Sequence, residues 1–275
     1  MNRSVAILCG LLTFCNLSPI PGTAQSSSYA PSPNTMHLVQ MALEKEKEHT
    51  RSDRQWMVRV TEIEAGHSKV FQRVETSQGN IQRLLSIDGR PATGPERYRN
   101  DAILHSLLTS QATRDKQVAT HQSDLQDELR LLERIPRMYV FTEVKQSESV
   151  HRIHFAPNPA YKPANYKERV LHVLSGDVVI DAQRDRFIEL SATVSESLTF
   201  GLGLIGYLNQ GGSLYIRREE VAGGLIKTRE SKVDLNGKIA LIKDIGKHQS
   251  ETLDDYSEVP GECDILCGLR LLNVH

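Results

Sequence analysis

The sequence predicts an α+β fold, its strands antiparallel and its helices grouped apart from them. Three observations carry this. Short alternating runs follow one another with gaps too brief for parallel crossovers. Helical periodicity is confined to the start of the chain and to one block over 94–135. Gly201, Gly203 and Gly206 are interleaved with apolar residues, the mark of a strand that bends sharply enough to curl a sheet around a cavity.

Residues 1–24 read as an export signal. Arg3 precedes an apolar run from Val5 to Leu17. Pro19 and Pro21 break it, and Gly22, Thr23 and Ala24 offer a small-x-small cleavage site before Gln25. The run is too short for a comfortable membrane span. Cys15 follows the bulky Phe14, a poor fit to lipidation, and Cys9 comes too early in the run. The expected product is a periplasmic or otherwise exported chain, cut after Ala24, with no transmembrane helix in its mature form.

The 275 residues suit one large domain or two small ones. A formal net charge of −1 excludes the basic excess of a nucleic-acid-binding surface. Aromatic residues make up only 5%, so any core or cavity must be lined mainly by Leu, Ile and Val. Beyond the signal only Cys263 and Cys267 remain. Their C-x-x-x-C spacing allows a local disulfide in an oxidising compartment or two free thiols. It is not a redox C-x-x-C, and a zinc site would need two further ligands.

Residues 25–35 read as a flexible linker, rich in Ser and Pro. Asn34 or Thr35 can cap a short helix with Met36, Val39, Ala42 and Leu43 as its apolar stripe and Glu44 to Glu48 on a solvated end. Alternating runs around Trp56–Val60, Val70–Val74 and Ile81–Ile87 predict a meander. Thr93 to Glu96 has the form of a capping box with Pro95 in the first turn. Tyr98, Ala102, Ile103 and Leu107 give one helical face. Val118, Leu125, Leu129 and Leu132 give another over 113–135, which Pro136 should stop.

Strands are then expected at 139–144 and 150–155, and at Arg169–Leu174 before a turn at Ser175 to Asp177. Further strands follow at 178–181, 187–194, 200–208 and 214–218. The strongest hairpin signal is Asn236-Gly237, between Leu225–Leu235 and Ile239–Ile245.

At this point the chain resembles a family. Phe155 to Pro159, Arg169 to Leu171, Gly176 to Asp181 and Arg186 to Leu190 are similar to the outer-membrane lipoprotein-sorting (LolA-like) superfamily. The nearer likeness is to a branch of exported bacterial proteins that carry that name by similarity. Phe200 to Gly203, Gly211-Gly212, Asn236 to Lys238 and Ser86 to Pro91 fit the same branch. The resemblance covers roughly residues 50–258. It implies an incomplete antiparallel β-barrel, a half-barrel, with helices over its concave side closing a hydrophobic cavity for acyl chains. On that basis 36–258 is one LolA-like domain with a polar helical insertion at 94–135, and 259–275 is a tail. No cavity arginine aligns residue by residue.

No catalytic constellation is legible. His151 and His154 lie three apart in a strand and face opposite ways. Asp177 and Asp181 share a face but lie about 13 Å apart. The glycines of 201–206 lack the Lys, Ser or Thr of a phosphate loop, and no G-x-S-x-G, H-E-x-x-H or Walker motif is present. The expectation is a non-enzymatic envelope protein without cofactor or metal. It would bury a lipid or lipoprotein acyl chain, or another apolar ligand, with Phe200, Leu202, Leu204, Ile205 and Leu208 as lining. An envelope interaction module without ligand is the alternative. A secreted hydrolase with an unrecognised site is a third reading.

Overall fold

The computed structural model describes residues 33–52, 54–200, 206–221, 224–239, 247–259 and 261–274. The proposed signal with Cys9 and Cys15, and the expected lining residues Leu202, Leu204 and Ile205, lie outside the described residues.

The chain opens with α1 (Pro33–Thr50), then β1 (Trp56–Glu64), β2 (His67–Val74), β3 (Ile81–Ile87) and the two-residue β4 (Arg90–Pro91). Two helices follow, α2 (Gly94–Thr109) and α3 (Gln111–Met138). Next come β5 (Tyr139–Gln146), β6 (Val150–Pro157), α4 (Tyr166–His172), β7 (Leu174–Asp181) and β8 (Arg186–Val194). The remainder is β9 (Leu198–Phe200), β10 (Gly206–Leu208), β11 (Ser213–Val221), β12 (Leu225–Leu235), β13 (Gly237–Ile239), β14 (Lys247–Glu258) and α5 (Ile265–Leu271).

The expected half-barrel does not form. Eleven strands make one open sheet in the order β4-β3-β2-β1-β14-β12-β11-β8-β7-β6-β5, and its end strands β4 and β5 do not pair. Its ladders are antiparallel. The class is α+β, dominated by strands. One physical reason lies at β3. Helix α2 covers that edge and takes up its free backbone groups, as Leu84 N donates to Asn100 Oδ1 at 2.9 Å and Asn100 Nδ2 to the Gln82 carbonyl at 3.1 Å. Arg97 Nη1 donates to the Leu84 carbonyl as well. An edge satisfied by side chains has nothing left to close onto.

Residues 201–205 of the glycine-rich segment lie outside the described residues, and the strands on either side of them stand apart from the main sheet. β9 and β10 leave it and pair with β13 in a separate three-stranded sheet. The strand expected over Ile239–Ile245 lies, beyond Ile239, outside the described residues, and Gly237–Ile239 pairs with β10 rather than with β12. Gly237 instead passes so close to β10 that a Cβ there would stand 2.5 Å from the Tyr207 carbonyl oxygen. The strand that follows β12 in the sheet is β14, in register Leu235↔Lys247. β14 also pairs with β1 and so links the N-terminal meander to the rest.

Local expectations fail at four further places. Arg169–Leu174 is mostly helix, because Asn165 caps α4 by accepting from Glu168 N at 3.0 Å. Ser175 to Asp177 is strand, paired with β8. Thr93 precedes α2 without a side-chain cap bond. Pro136 does not stop α3, which runs two residues further before Tyr139 turns extended.

Three apolar clusters result. One lies between α1, α3 and the strands β5–β8, β11 and β12. A second gathers Val74 and Ile81 with Leu104 and Leu107 of α2 and Ile265 and Leu269 of α5. The third joins β1–β3 to Leu253. The tail beyond 260 is thus docked. Cys263 and Cys267 are joined by a disulfide, and Gln55 Oε1 accepts from Cys263 N at 2.7 Å.

Candidate functional site

The first cluster is not filled. A cavity of about 190 Å³ lies between the two helices and the sheet. Its walls follow from periodicity. α1 presents Val39 and Leu43, one turn apart, and α3 presents Leu131, Leu132 and Ile135. Phe141 and Phe155 face it from β5 and β6, and Leu190 and Ala192 from β8. From β11 come Leu214 and Ile216. Tyr139 closes the aromatic end, its ring edge-on to Phe155 at 5.1 Å and its hydroxyl donating to the Leu171 carbonyl.

Each of three wall elements ends in a charge one step further along the same phase. After Val39 and Leu43 comes Glu46. Before Leu131 and Leu132 comes Glu128. After Leu214 and Ile216 comes Arg218. These converge at one end of the cavity. Arg218 Nη1 donates to Glu46 Oε2 at 2.6 Å, and Arg186 Nε to Glu46 Oε1 at 3.3 Å. Thr50 Oγ1 donates to Glu128 Oε1 at 2.9 Å. Glu46, expected on a solvated helix end, is only 7% exposed.

Burial and charge set the ionisation of this end. Burial would raise the Glu46 carboxyl, but Arg218 and Arg186 outweigh it and hold the group below its ordinary range. Burial raises Glu128, against the Thr50 hydrogen bond and with help from Glu46. Burial, then the Lys227 charge, pushes His49 down to about 4. Lys227 itself is held by Glu75 Oε2 at 3.0 Å and lies 5.6 Å from the Trp56 ring centre.

The residues singled out from sequence fall elsewhere. Leu208 is 2% exposed on β10 and packs in the same cluster as Leu214 and Leu235, off the cavity wall. Phe200 ends β9. His151 and His154 bond separately, to Glu143 and Asp177 at 2.9 and 2.8 Å. Asp181 caps the β7–β8 turn through Gln183 N and Arg184 N. Among the described residues no group of three or more His, Cys, Asp or Glu could hold a metal ion, and no helix is long and apolar enough to cross a membrane.

The chain is distantly similar in structure to a DUF1329 family protein. That solved structure, from Desulfovibrio piger, aligns at 8% sequence identity and a TM-score of 0.32, over 89% of this chain and 100% of that one. No protein-family model matches the sequence, and no curated protein does.

Sequence reasoning missed Glu46, Glu128, Arg186 and Arg218 because they are scattered over four elements. A signal existed at three of them. A charged residue in phase with an apolar stripe is either an error of register or a buried polar group with a partner.

Proposed function

We propose that this protein is a non-enzymatic binding protein of the cell envelope that holds an acyl chain, or a similar apolar ligand, between α1, α3 and the sheet. The observation that carries this is the cavity. Protein interiors are packed like organic crystals, with few voids larger than a water molecule. A cavity of about 150 Å³ lined by Leu, Ile and Phe is known to stay dry and to take up benzene. The space here is about 190 Å³ with walls of the same kind. It falls below the roughly 300–1,000 Å³ of ordinary ligand pockets, which suits one short chain rather than a bulky ligand.

Affinity would come from transfer out of water, about 25 cal/mol per Å² of apolar area. The sequence resemblance to the lipoprotein-sorting superfamily supports an acyl chain as the cargo, and the signal-like residues 1–24 support an exported site of action.

The test is lipid extraction and mass spectrometry of protein purified from its native envelope, paired with uptake of the neutral dye Nile red. Reproducible stoichiometric lipid and saturable dye uptake are expected. Absence of both overturns the reading and favours an interaction module with a closed core.

A further inference from the structure

We propose that a second, smaller cavity, between α3 and α4, binds a phosphate group, either free or as the headgroup of an amphiphile whose chain lies in the larger cavity. The site itself goes beyond the reading above, and only the headgroup source rests on it.

This cavity measures about 60 Å³. About 10–15 Å³ of such space holds one water, so it takes a group of a few heavy atoms and no more. One wall follows from helix phase. Asp127, Arg130, Leu131 and Arg134 recur at three- and four-residue spacing on α3 and so share a face. The start of α4 supplies the other wall with Lys167 and Glu168.

The first argument is the charge of these walls. Arg130, Arg134 and Lys167 stand against Asp127 and Glu168, three cations to two carboxylates. Burial would raise the Asp127 carboxyl, but Lys167 and Arg130 outweigh it and hold the group below its ordinary range. The excess of one positive charge therefore stands with both acids ionised. Glu133, the next acid along α3, is exposed and off the wall.

The second argument is hydrogen bonding. Glu168, only 3% exposed, is already saturated. One of its oxygens accepts from Arg134 and Asn165, the other from Tyr161 and Ala164 N. Asp127 accepts from Arg130 on one oxygen and Lys167 on the other. A guanidinium has five N–H donors and an ammonium three. Beyond Asp127, Arg130 and Lys167 have no acceptor among the described residues. A phosphate brings about 1.5–2 negative charges at pH 7 and three strong acceptor oxygens. That suits three cations arriving from two elements better than the two oxygens of a carboxylate.

The third argument is position. Arg130 stands 59% exposed at the rim, so an anion can enter from water. Leu131 lines both cavities. Leu132 and Ile135 turn to the larger one, Arg130 and Arg134 to the smaller. The two spaces are neighbours across one side chain, which allows a chain in one and its head in the other.

Calorimetric titration of the exported protein at pH 7 with inorganic phosphate and with decyl phosphate tests the site. Saturable binding is expected. Lys167→Gln should weaken it about fivefold, the size of one partly exposed charge contact. Asp127→Asn frees Arg130 and Lys167 from their internal acceptor and should tighten it about fivefold, a gain that misfolding cannot imitate. Tighter binding of decyl phosphate that is lost in Leu190→Trp, which fills the larger cavity, identifies a lipid headgroup. An advantage kept in that variant, or none at all, identifies free phosphate. Failure of both probes to bind, or affinities that Asp127→Asn leaves unchanged or lowers, overturn the phosphate site. The larger cavity is read separately by Nile red, so its failure and this one are told apart.

Discussion

Arg218 of β11 and Glu46 of α1, 172 residues apart, meet in a hydrogen-bonded ion pair of 2.6 Å. The pair ties the first helix to the middle of the sheet beside the cavity. Breaking a buried pair from one side leaves the other charge stranded, which costs about 3–5 kcal/mol. Here Arg186 remains on Glu46, so Arg218→Ala should cost nearer 3 kcal/mol. In the Glu46→Gln background the same substitution should cost less by about 1–2 kcal/mol. Urea unfolding of the four proteins at pH 7 measures the coupling, and strict additivity would show that the pair does not hold the helix.

His49 makes stability depend on pH. Its folded pKa is pushed down to about 4 by burial, with Lys227 adding to the effect, against about 6.5 in an unfolded chain. Between these values the unfolded chain binds more protons, so stability rises with pH. The contribution is complete above about pH 6.5 and is lost as pH falls toward 4. From pH 7 to pH 5 it amounts to about 2 kcal/mol. His49→Gln should shrink the difference in unfolding free energy between these two pH values by that amount. An unchanged difference would mean that His49 is solvated.

The strands over 56–87 and 139–157 were legible because alternation there answers to burial on one face. Trp56, Val58 and Val60 are all buried, with the half-buried Met57 and the exposed Arg59 between them. β14 was not legible, since Lys247–Glu258 is almost wholly polar. Its place comes from long-range pairing with β1 and β12, to which no local pattern testifies. Gly237 misled for a related reason. The residue that usually marks a tight turn here serves a close pass over Tyr207. The apolar walls of the site were half legible, with Val39, Leu43 and Leu132 in the expected stripes. The charged end was hidden, because its partners are supplied by elements far apart in the chain.

If the cavity is truly open space, it should accept a larger side chain without strain. Leu190 faces it from β8. In a tightly packed core, added methylenes cost about 1–3 kcal/mol. Leu190→Trp should instead leave the melting temperature within about 3 °C of the parent and abolish Nile red uptake. A fall of about 10 °C or more would mean that the site has no room for the indole.

Gly176 tests whether the cavity depends on the β7–β8 ladder behind it. A Cβ at this position would overlap the Ser191 carbonyl oxygen and lie 2.7 Å from Ala192 Cα, both of them backbone. Backbone cannot rotate aside as a side chain can, so the two strands must part. Ala192 and Leu190 stand on the cavity wall, and Arg186 is carried by the same strand. Gly176→Ala should therefore cost about 3 kcal/mol or more and weaken ligand uptake along with it. Gly89 provides the contrast. It has φ +74° but nothing within 4 Å of an added Cβ, so Gly89→Ala meets only backbone strain, about 1 kcal/mol. Urea midpoints for the two variants decide the matter. Equal losses would show that β7 and β8 can separate at little cost, and the wall they form would then be too soft to hold a defined cavity.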